Sequence, residues 1–437
     1  MEFLDGAATW FRNARIVTAD RVFTGCLRVE GGRIEEIGED GSSGAGLDFQ
    51  GDYLLPGLIE LHTDHLESHY VPRPAVTWHA GSAVLAYDAQ IAAAGITTVF
   101  DSFRVGVDEY DAGGQLGDEV APLAEAVRRA AEAGLLRADH LTHLRCEVPA
   151  PNVVGSLNAL LASHSAELIS LMDHTPGQRQ FRDLEKYFIY YSGKSGRSQA
   201  DLEQVARERQ KVGRARALEN RPRIVEVART RGIALASHDD TTAEEVALAH
   251  RDGVTIAEFP TTLEAAAASR AAGMATVMGA PNVVRGGSHS GNASARQLAE
   301  AGQLDILPSD YVPAALLMAA FRLADAPAVG GLAGAMRLVS KAPAEATGLK
   351  DRGEIAVGRR ADLLRVARHD GEPVVRAVWR EGRRVACGNS GLRAESRPAH
   401  ALTHHAAQYA SVGGHAPAGD MDSHGVMSIT SPVESRA

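Results

Sequence analysis

The 437-residue chain has only three cysteines, Cys26, Cys146 and Cys387, far apart and without a CxxC pair. That excludes a disulfide framework and a zinc ribbon, and it suits a reducing compartment. No stretch approaches the ~18 consecutive apolar residues of a membrane span. The opening Met1-Glu-Phe-Leu-Asp-Gly6 lacks the basic-then-apolar order of a secretory signal, so a cytoplasmic location is expected. Basic residues are in the minority, 45 against 55 acidic, for a net charge of -10. Neither nucleic acid nor an anionic membrane surface is therefore an expected partner, and a polyanionic ligand must meet a local basic pocket. The 44 glycines and 18 prolines are too few and too scattered for a fibrous or wholly disordered chain. What is present is ordinary globular composition, 45% hydrophobic and 23% charged. At roughly 150 residues per domain the length corresponds to about three domains, fewer if an α/β barrel absorbs most of it.

Short alternating stretches between Ala14 and Asp52, separated by Gly-Gly turns, read as strands, and the same texture returns from Gly353 to Gly388. Residues 14–52 and 353–388 are expected to pair as one small β-sandwich domain. Between them, over residues 53–352, apolar strand-length runs alternate with Ala-rich helical stretches, as in a parallel sheet wrapped by helices. Eight strand candidates end near His62, Asp101, Glu147, His174, His238, Phe259, Gly279 and Asp310. The prediction is an α/β fold: a TIM-type (β/α)8 barrel, with distortion allowed. The long connection between His174 and His238 predicts a lid or an extra helical hairpin. Residues 389–437, rich in Ser, Ala, Gly and His, are expected to form a disordered tail.

The sharpest local feature is Leu54-Leu-Pro-Gly-Leu-Ile-Glu-Leu-His62-Thr-Asp64, an apolar strand ending in a His-x-Asp pair. A spacing of two puts both side chains on one face of a strand, where nitrogen and oxygen can hold one divalent metal. Alone the pair is weak. Its weight comes from Glu147 in Leu-Arg-Cys-Glu, His174 in Leu-Met-Asp-His, His238 in Ala-Ser-His and Asp310 in Leu-Pro-Ser-Asp. Each stands where a strand finishes, the face on which barrel enzymes build their sites. Any one of them is more often an ordinary hydrogen-bonded side chain; six together point to metal. His65, His69 and His79 lie just past the first strand and are read as supporting or capping groups. Asp239 and Asp240 either orient His238 or cap the next helix.

These motifs, with the later Gly358-Arg-Arg-Ala-Asp-Leu363, resemble the amidohydrolase superfamily over about Ala14 to Gly388. Within it, four segments resemble the branch that serves phosphonate metabolism: His62-Thr-Asp-His-Leu-Glu67, Pro72-Arg-Pro-Ala75, Asp88-Ala-Gln-Ile-Ala-Ala-Ala-Gly-Ile-Thr-Thr-Val-Phe-Asp101 and Ser170-Leu-Met-Asp-His-Thr-Pro-Gly-Gln178. The resemblance implies hydrolysis of α-D-ribose 1-methylphosphonate 5-triphosphate to the 5-phosphate and pyrophosphate, ahead of carbon-phosphorus bond cleavage by the carbon-phosphorus lyase complex. It also implies two divalent metal ions, zinc first, with manganese, iron or nickel accepted by the same donors. His62 and Asp64 would hold one ion, His174 and His238 the other, and Glu147 would bridge them. Asp310 would ligate a metal and act as the catalytic proton acceptor. Two features depart from the wider superfamily: His-x-Asp replaces His-x-His, and Glu147 stands where many members have a carboxylated lysine. In this strand count Glu147 also closes the third strand rather than the fourth.

A triphosphate demands local cations. The substrate-binding candidates are Arg73, Arg145, Arg179, Lys186, Lys194 and Arg285, with the Gly286 and Gly287 backbone N–H groups aimed together at an anion in Asn282-Val-Val-Arg-Gly-Gly-Ser-His-Ser-Gly-Asn292. The same metal platform polarises a carbonyl, so a cyclic amide hydrolase or deaminase is the alternative, and a non-catalytic scaffold on the same fold is a third reading. A homo-oligomer is compatible with the sequence.

Overall fold

The computed structural model describes residues 8–39, 46–73, 76–106, 120–182, 184–195, 198–288 and 291–388. The expected tail, 389–437, lies outside the described residues. Among the described residues no helix is long and apolar enough to cross a membrane.

Both ends of the described chain build one antiparallel-rich sheet. Its order runs Arg383–Cys387, Glu372–Arg380, Leu363–His369, Tyr53–Pro56, Thr9–Val17, Val22–Glu30, Arg33–Gly38, with Gly46–Asp48 beside Thr9–Val17. The seam between the two ends is the antiparallel pairing of Leu363 with Pro56 through Val366 with Tyr53. Gly31 and Gly32, at φ 56° and 78°, make the tight turn that lets Val22–Glu30 fold back on Arg33–Gly38. Phe11, Phe49 and Trp379 pack at ring separations of 5.0 to 6.1 Å in the core of this layer. The sheet starts at Thr9 and takes in Tyr53–Pro56, so it runs past both expected edges of the N-terminal segment.

Seven parallel strands follow in chain order: Leu58–Thr63, Ile96–Val105, Asp139–Glu147, Leu168–Met172, Ala234–His238, Ile256–Glu258 and Ala275–Val277. The eighth position is not a regular strand. Ile306 bridges Val277 and Asp310 bridges Thr63, which closes the ring through single contacts. Glu60 secures this closure, since its two carboxylate oxygens accept the His62 N–H at 2.8 Å and the Ser309 N–H at 2.7 Å. The barrel is thus distorted at its seam. Its interior packs Ile59, Leu61, Phe100, Leu168, Ala236, Ile256, Val277 and Ile306. Glu147 does end the third strand of the barrel, as counted.

The long connection contains two helices, Leu184–Ser195 and Gln199–Arg231, which pack together as a hairpin. Ser198 caps the second by accepting from the Asp201 N–H, and Gly232 ends it in the left-handed conformation. The helix is docked beside the barrel mouth. Asn220 donates to the Val148 and Ala150 carbonyls, and Gly213 comes so close to Thr175 that a Cβ would lie 2.9 Å from its hydroxyl.

Candidate functional site

The strand ends surround a cavity of about 510 Å³. The backbone at this rim is unusual: Arg179, Asp239, Phe259 and Asp310 all have φ between 50° and 57°, a region non-glycine residues seldom occupy. Such conformations persist where the surroundings over-determine them, commonly at functional sites. A bulge in the first strand between Glu60 and Thr63 adds a residue against its neighbour and re-aims His62 at the mouth.

Three imidazoles, His62, His238 and His174, form a row with ring centroids 5.4 and 5.6 Å apart. Each is held from behind by a buried carboxylate. His62 Nδ1 lies 3.0 Å from Glu258 Oε1, His238 Nδ1 lies 3.1 Å from Glu258 Oε2, and His174 Nδ1 lies 2.6 Å from Glu147 Oε2. Carboxylate contact at Nδ1 sets the tautomer and leaves Nε2 for a ligand, the usual outer support of a metal-binding histidine. Burial pushes the His62 imidazole down to about 4, so it is neutral and a competent donor near neutral pH. Ser170 donates to Glu258 Oε2 at 2.7 Å, and His143 Nε2 lies 2.5 Å from the Ser170 hydroxyl, extending the support inward.

The carboxylates divide into two groups. Asp64, 42% exposed, lines the cavity 3.6 Å from Arg145. It does not share a strand face with His62, because it follows the strand end and opens the helix His65–Tyr70. Asp310 lines the cavity too, its N–H bonded to the His62 carbonyl. Burial, reinforced by the Asp64 carboxylate, pushes Asp310 up to about 7. Gly279 makes room for it, since a Cβ there would sit 3.3 Å from Asp310 Oδ2. Glu147, by contrast, is fully buried and does not line the cavity. Both its oxygens are engaged by His174, Oε1 by the backbone N–H at 2.9 Å and Oε2 by the ring. Burial opposes its charge, but His174 and then Arg104 outweigh it and hold the carboxyl well below the usual range. The structure thus places Glu147 behind His174 instead of between two ligand pairs.

The basic candidates fare unevenly. Arg145, Arg285 and Gly287 line the cavity. Arg73 is exposed in a local bridge with Val76, away from the lining residues. Arg179 is a correction: 8% exposed, it donates to Asp240 Oδ1 and to the His238 carbonyl, both at 2.7 Å, and pins the turn after the fifth strand. Gly286 and Gly287 are a second. Their N–H groups bond to the Val283 and Asn282 carbonyls and finish the helix Ala280–Arg285, because a helix end leaves carbonyls that need donors. Those amides cannot also cradle an anion. The side chains of Lys186 and Lys194 lie outside the described residues. His65 and His69 share the Gln90 side-chain oxygen at 3.0 and 2.7 Å, and His79 caps the helix Ala80–Ala93.

Two site residues escaped the sequence reading, and a third, Asp239, was read only as orienting His238 or capping the next helix. Glu258 closes Val254-Thr-Ile-Ala-Glu258, the same signature of an apolar run ending in a carboxylate that marked Glu147, but the strand end was placed one residue later. Arg104 lines the cavity as the direct register partner of Arg145 across the second and third strands. Asp239 lines it beside His238 and caps no helix, because Thr242 caps Ala243–Arg251 in a capping box with Glu245. The donors suit a divalent cation: imidazoles with carboxylate-set tautomers, carboxylates at the rim, and the triad His174–His238–Asp239, with donor atoms within 4.8 Å of one another.

No protein-family model matches the chain. Its fold is shared with 5-methylcytosine deaminase from Klebsiella pneumoniae, at a TM-score of 0.59 and 15% identity over 88% of this chain and 100% of that one. It is shared likewise with dihydropyrimidinase from Brevibacillus agri, at a TM-score of 0.56 and 14% identity over 87% of this chain and 95% of that one. At such identities the likeness concerns the fold alone, a distorted barrel with a terminal β domain. Sequence similarity is far stronger to α-D-ribose 1-methylphosphonate 5-triphosphate diphosphatase of Escherichia coli strain K12, 46% identical over 375 residues, covering 85% of this chain and 99% of that protein. With identity of that extent over most of both chains, the chain belongs to the α-D-ribose 1-methylphosphonate 5-triphosphate diphosphatase family.

Proposed function

We propose that the protein hydrolyses α-D-ribose 1-methylphosphonate 5-triphosphate to the 5-phosphate and pyrophosphate, assisted by divalent metal, in phosphonate catabolism. One observation carries the reading: the same cavity holds the carboxylate-backed histidines and three arginines, Arg104, Arg145 and Arg285, in a protein whose net charge is -10. An uncharged carbonyl substrate gives such a cationic wall nothing to bind. His62, His174 and His238, with Asp64 and Asp310, would hold the metal. When bound, divalent cations lower the pKa of water and neutralise phosphoryl charge.

The chain's own residues do the rest. Arg104 and Arg145, adjacent on neighbouring strands, and Arg285 at the end of the helix Ala280–Arg285 grip phosphoryl oxygens and orient the anhydride. Asp310, at the cavity wall among the residues that would hold the metal, accepts the proton of the attacking water. The water oxygen bonds to phosphorus, the bridge between the α and β phosphoryl groups breaks, and pyrophosphate leaves. Glu147 and Glu258 keep the three imidazoles in the ligand tautomer.

The test is pyrophosphate release from this substrate against simple nucleoside triphosphates, hydantoin and dihydroorotate. Preference for the ribose phosphonate is expected. Faster amide hydrolysis than pyrophosphate release would overturn the proposal in favour of the amide reading.

A further inference from the structure

We infer that Asp239 is a metal ligand, completing a triad with the His174 and His238 imidazoles on the cavity side of the site. The inference rests on the metal-dependent reading above, yet ion binding alone tests it. Asp239 is 4% exposed, and its Oδ2 is buried without a hydrogen-bond partner. Among the described residues its one ion-pair contact within 4.0 Å is with His238 Nε2, at 3.4 Å. The next carboxylate, Asp240, has Arg179 as a close partner. A buried carboxylate oxygen is costly without a hydrogen bond or a close cation, and the 3.4 Å His238 contact leaves Oδ2 short of one.

Geometry supplies the remedy. Donor atoms of His174, His238 and Asp239 lie within 4.8 Å of one another. The Nδ1 atoms of both histidines are committed to Glu147 and Glu258, so Nε2 is what each offers. Two imidazoles and one carboxylate with a position left open is the donor count of a catalytic zinc site. The backbone agrees: Asp239 is held at φ 57° by its N–H bond to the Glu258 carbonyl at 2.8 Å, a conformation that turns the side chain into the mouth where the strand ends. The ordinary use of an acidic residue here, capping the next helix, belongs to Thr242.

The experiment is Zn²⁺ titration of the metal-stripped full chain against a competing chelator, with thermal denaturation of the same samples. Asp239→Asn keeps the shape and tolerates the left-handed conformation. The wild type is expected to bind two ions. Asp239→Asn should lose the ion shared with His174, its affinity falling by more than roughly 100-fold, beyond the loss typical of an outer support residue. His174→Gln should lose the same ion, and the double variant should lose no more than either single one. The Zn²⁺-induced rise in melting point should shrink in Asp239→Asn relative to the wild type. Wild-type stoichiometry and affinity in Asp239→Asn, or an undiminished Zn²⁺-induced rise in its melting point, would overturn the assignment. If the wild type releases no pyrophosphate but the Zn²⁺ results hold, the substrate reading fails and this one stands.

Discussion

Replacing Glu258 with Gln probes how one carboxylate serves two metal-binding histidines. Three donors converge on its two oxygens: His62 Nδ1–H at 3.0 Å on Oε1, and His238 Nδ1–H at 3.1 Å with the Ser170 hydroxyl at 2.7 Å on Oε2. Burial opposes ionisation of Glu258, but His62, His143 and His238 outweigh it and keep the carboxylate charged. A glutamine of the same size has one acceptor and one NH2 group. Whichever way it turns, a histidine Nδ1–H meets a donor, and that ring must move its proton to Nε2 and cease to be a ligand. Loss of an outer partner typically costs 10–100-fold in metal affinity, about 1.4–2.7 kcal/mol. An unpaired buried donor adds about 1–3 kcal/mol against folding, partly offset by removal of the buried charge. The assay is chelator-competed Zn²⁺ binding, with circular dichroism to confirm folding. A folded Glu258→Gln protein that binds Zn²⁺ as tightly as the wild type would refute the reasoning.

Arg145→Met should cut kcat/KM on the triphosphate by roughly tenfold to a hundredfold, the worth of one charge-assisted contact, with metal content unchanged; an equal loss on an uncharged amide substrate would argue against phosphate binding. Glu147→Gln should weaken the His174 ion by ~10–100-fold without abolishing it, as for an outer support, whereas complete loss of both ions by elemental analysis would restore the bridging role. His140 lies between Asp101 at 2.9 Å and Asp88 at 3.3 Å. Burial opposes its proton, but the two carboxylates overcome that and raise it from 6.5 to about 9. Its stabilisation is complete below pH 6.5 and is lost as pH rises through about 9, a change on the order of 3 kcal/mol. Urea denaturation from pH 6 to 10 should therefore fall more steeply for the wild type than for His140→Gln, and parallel profiles would show that the buried ion pair contributes nothing.

Much of the fold was legible in the sequence because hydrophobic periodicity is local. Alternation with Gly-Gly turns marks the terminal strands, and apolar runs closing in His, Asp or Glu mark the barrel ends at His62, Glu147 and His238. The family was legible too, since its motifs are contiguous, from His62 to Glu67 and from Ser170 to Gln178. What each end residue does is decided by neighbours distant in sequence. Glu147 finishes its strand as expected, yet a tertiary contact with His174 turns both oxygens away from the cavity. Glu258 is a plain strand-end glutamate until folding brings His62, 196 positions away, within 3.0 Å. Arg179 and the Gly286–Gly287 amides carry the chemistry an anion needs, but buried Asp240 and the helix-end carbonyls claim those donors first. Asp239 has the opposite history: capping is its local use, and only the turn pinned to the Glu258 carbonyl leaves its Oδ2 buried, without a hydrogen bond and facing two histidines. Sequence determines which donors and acceptors exist; the tertiary structure decides which find each other before a ligand arrives, because each buried hydrogen-bonding group must be satisfied by whatever packing brings nearest.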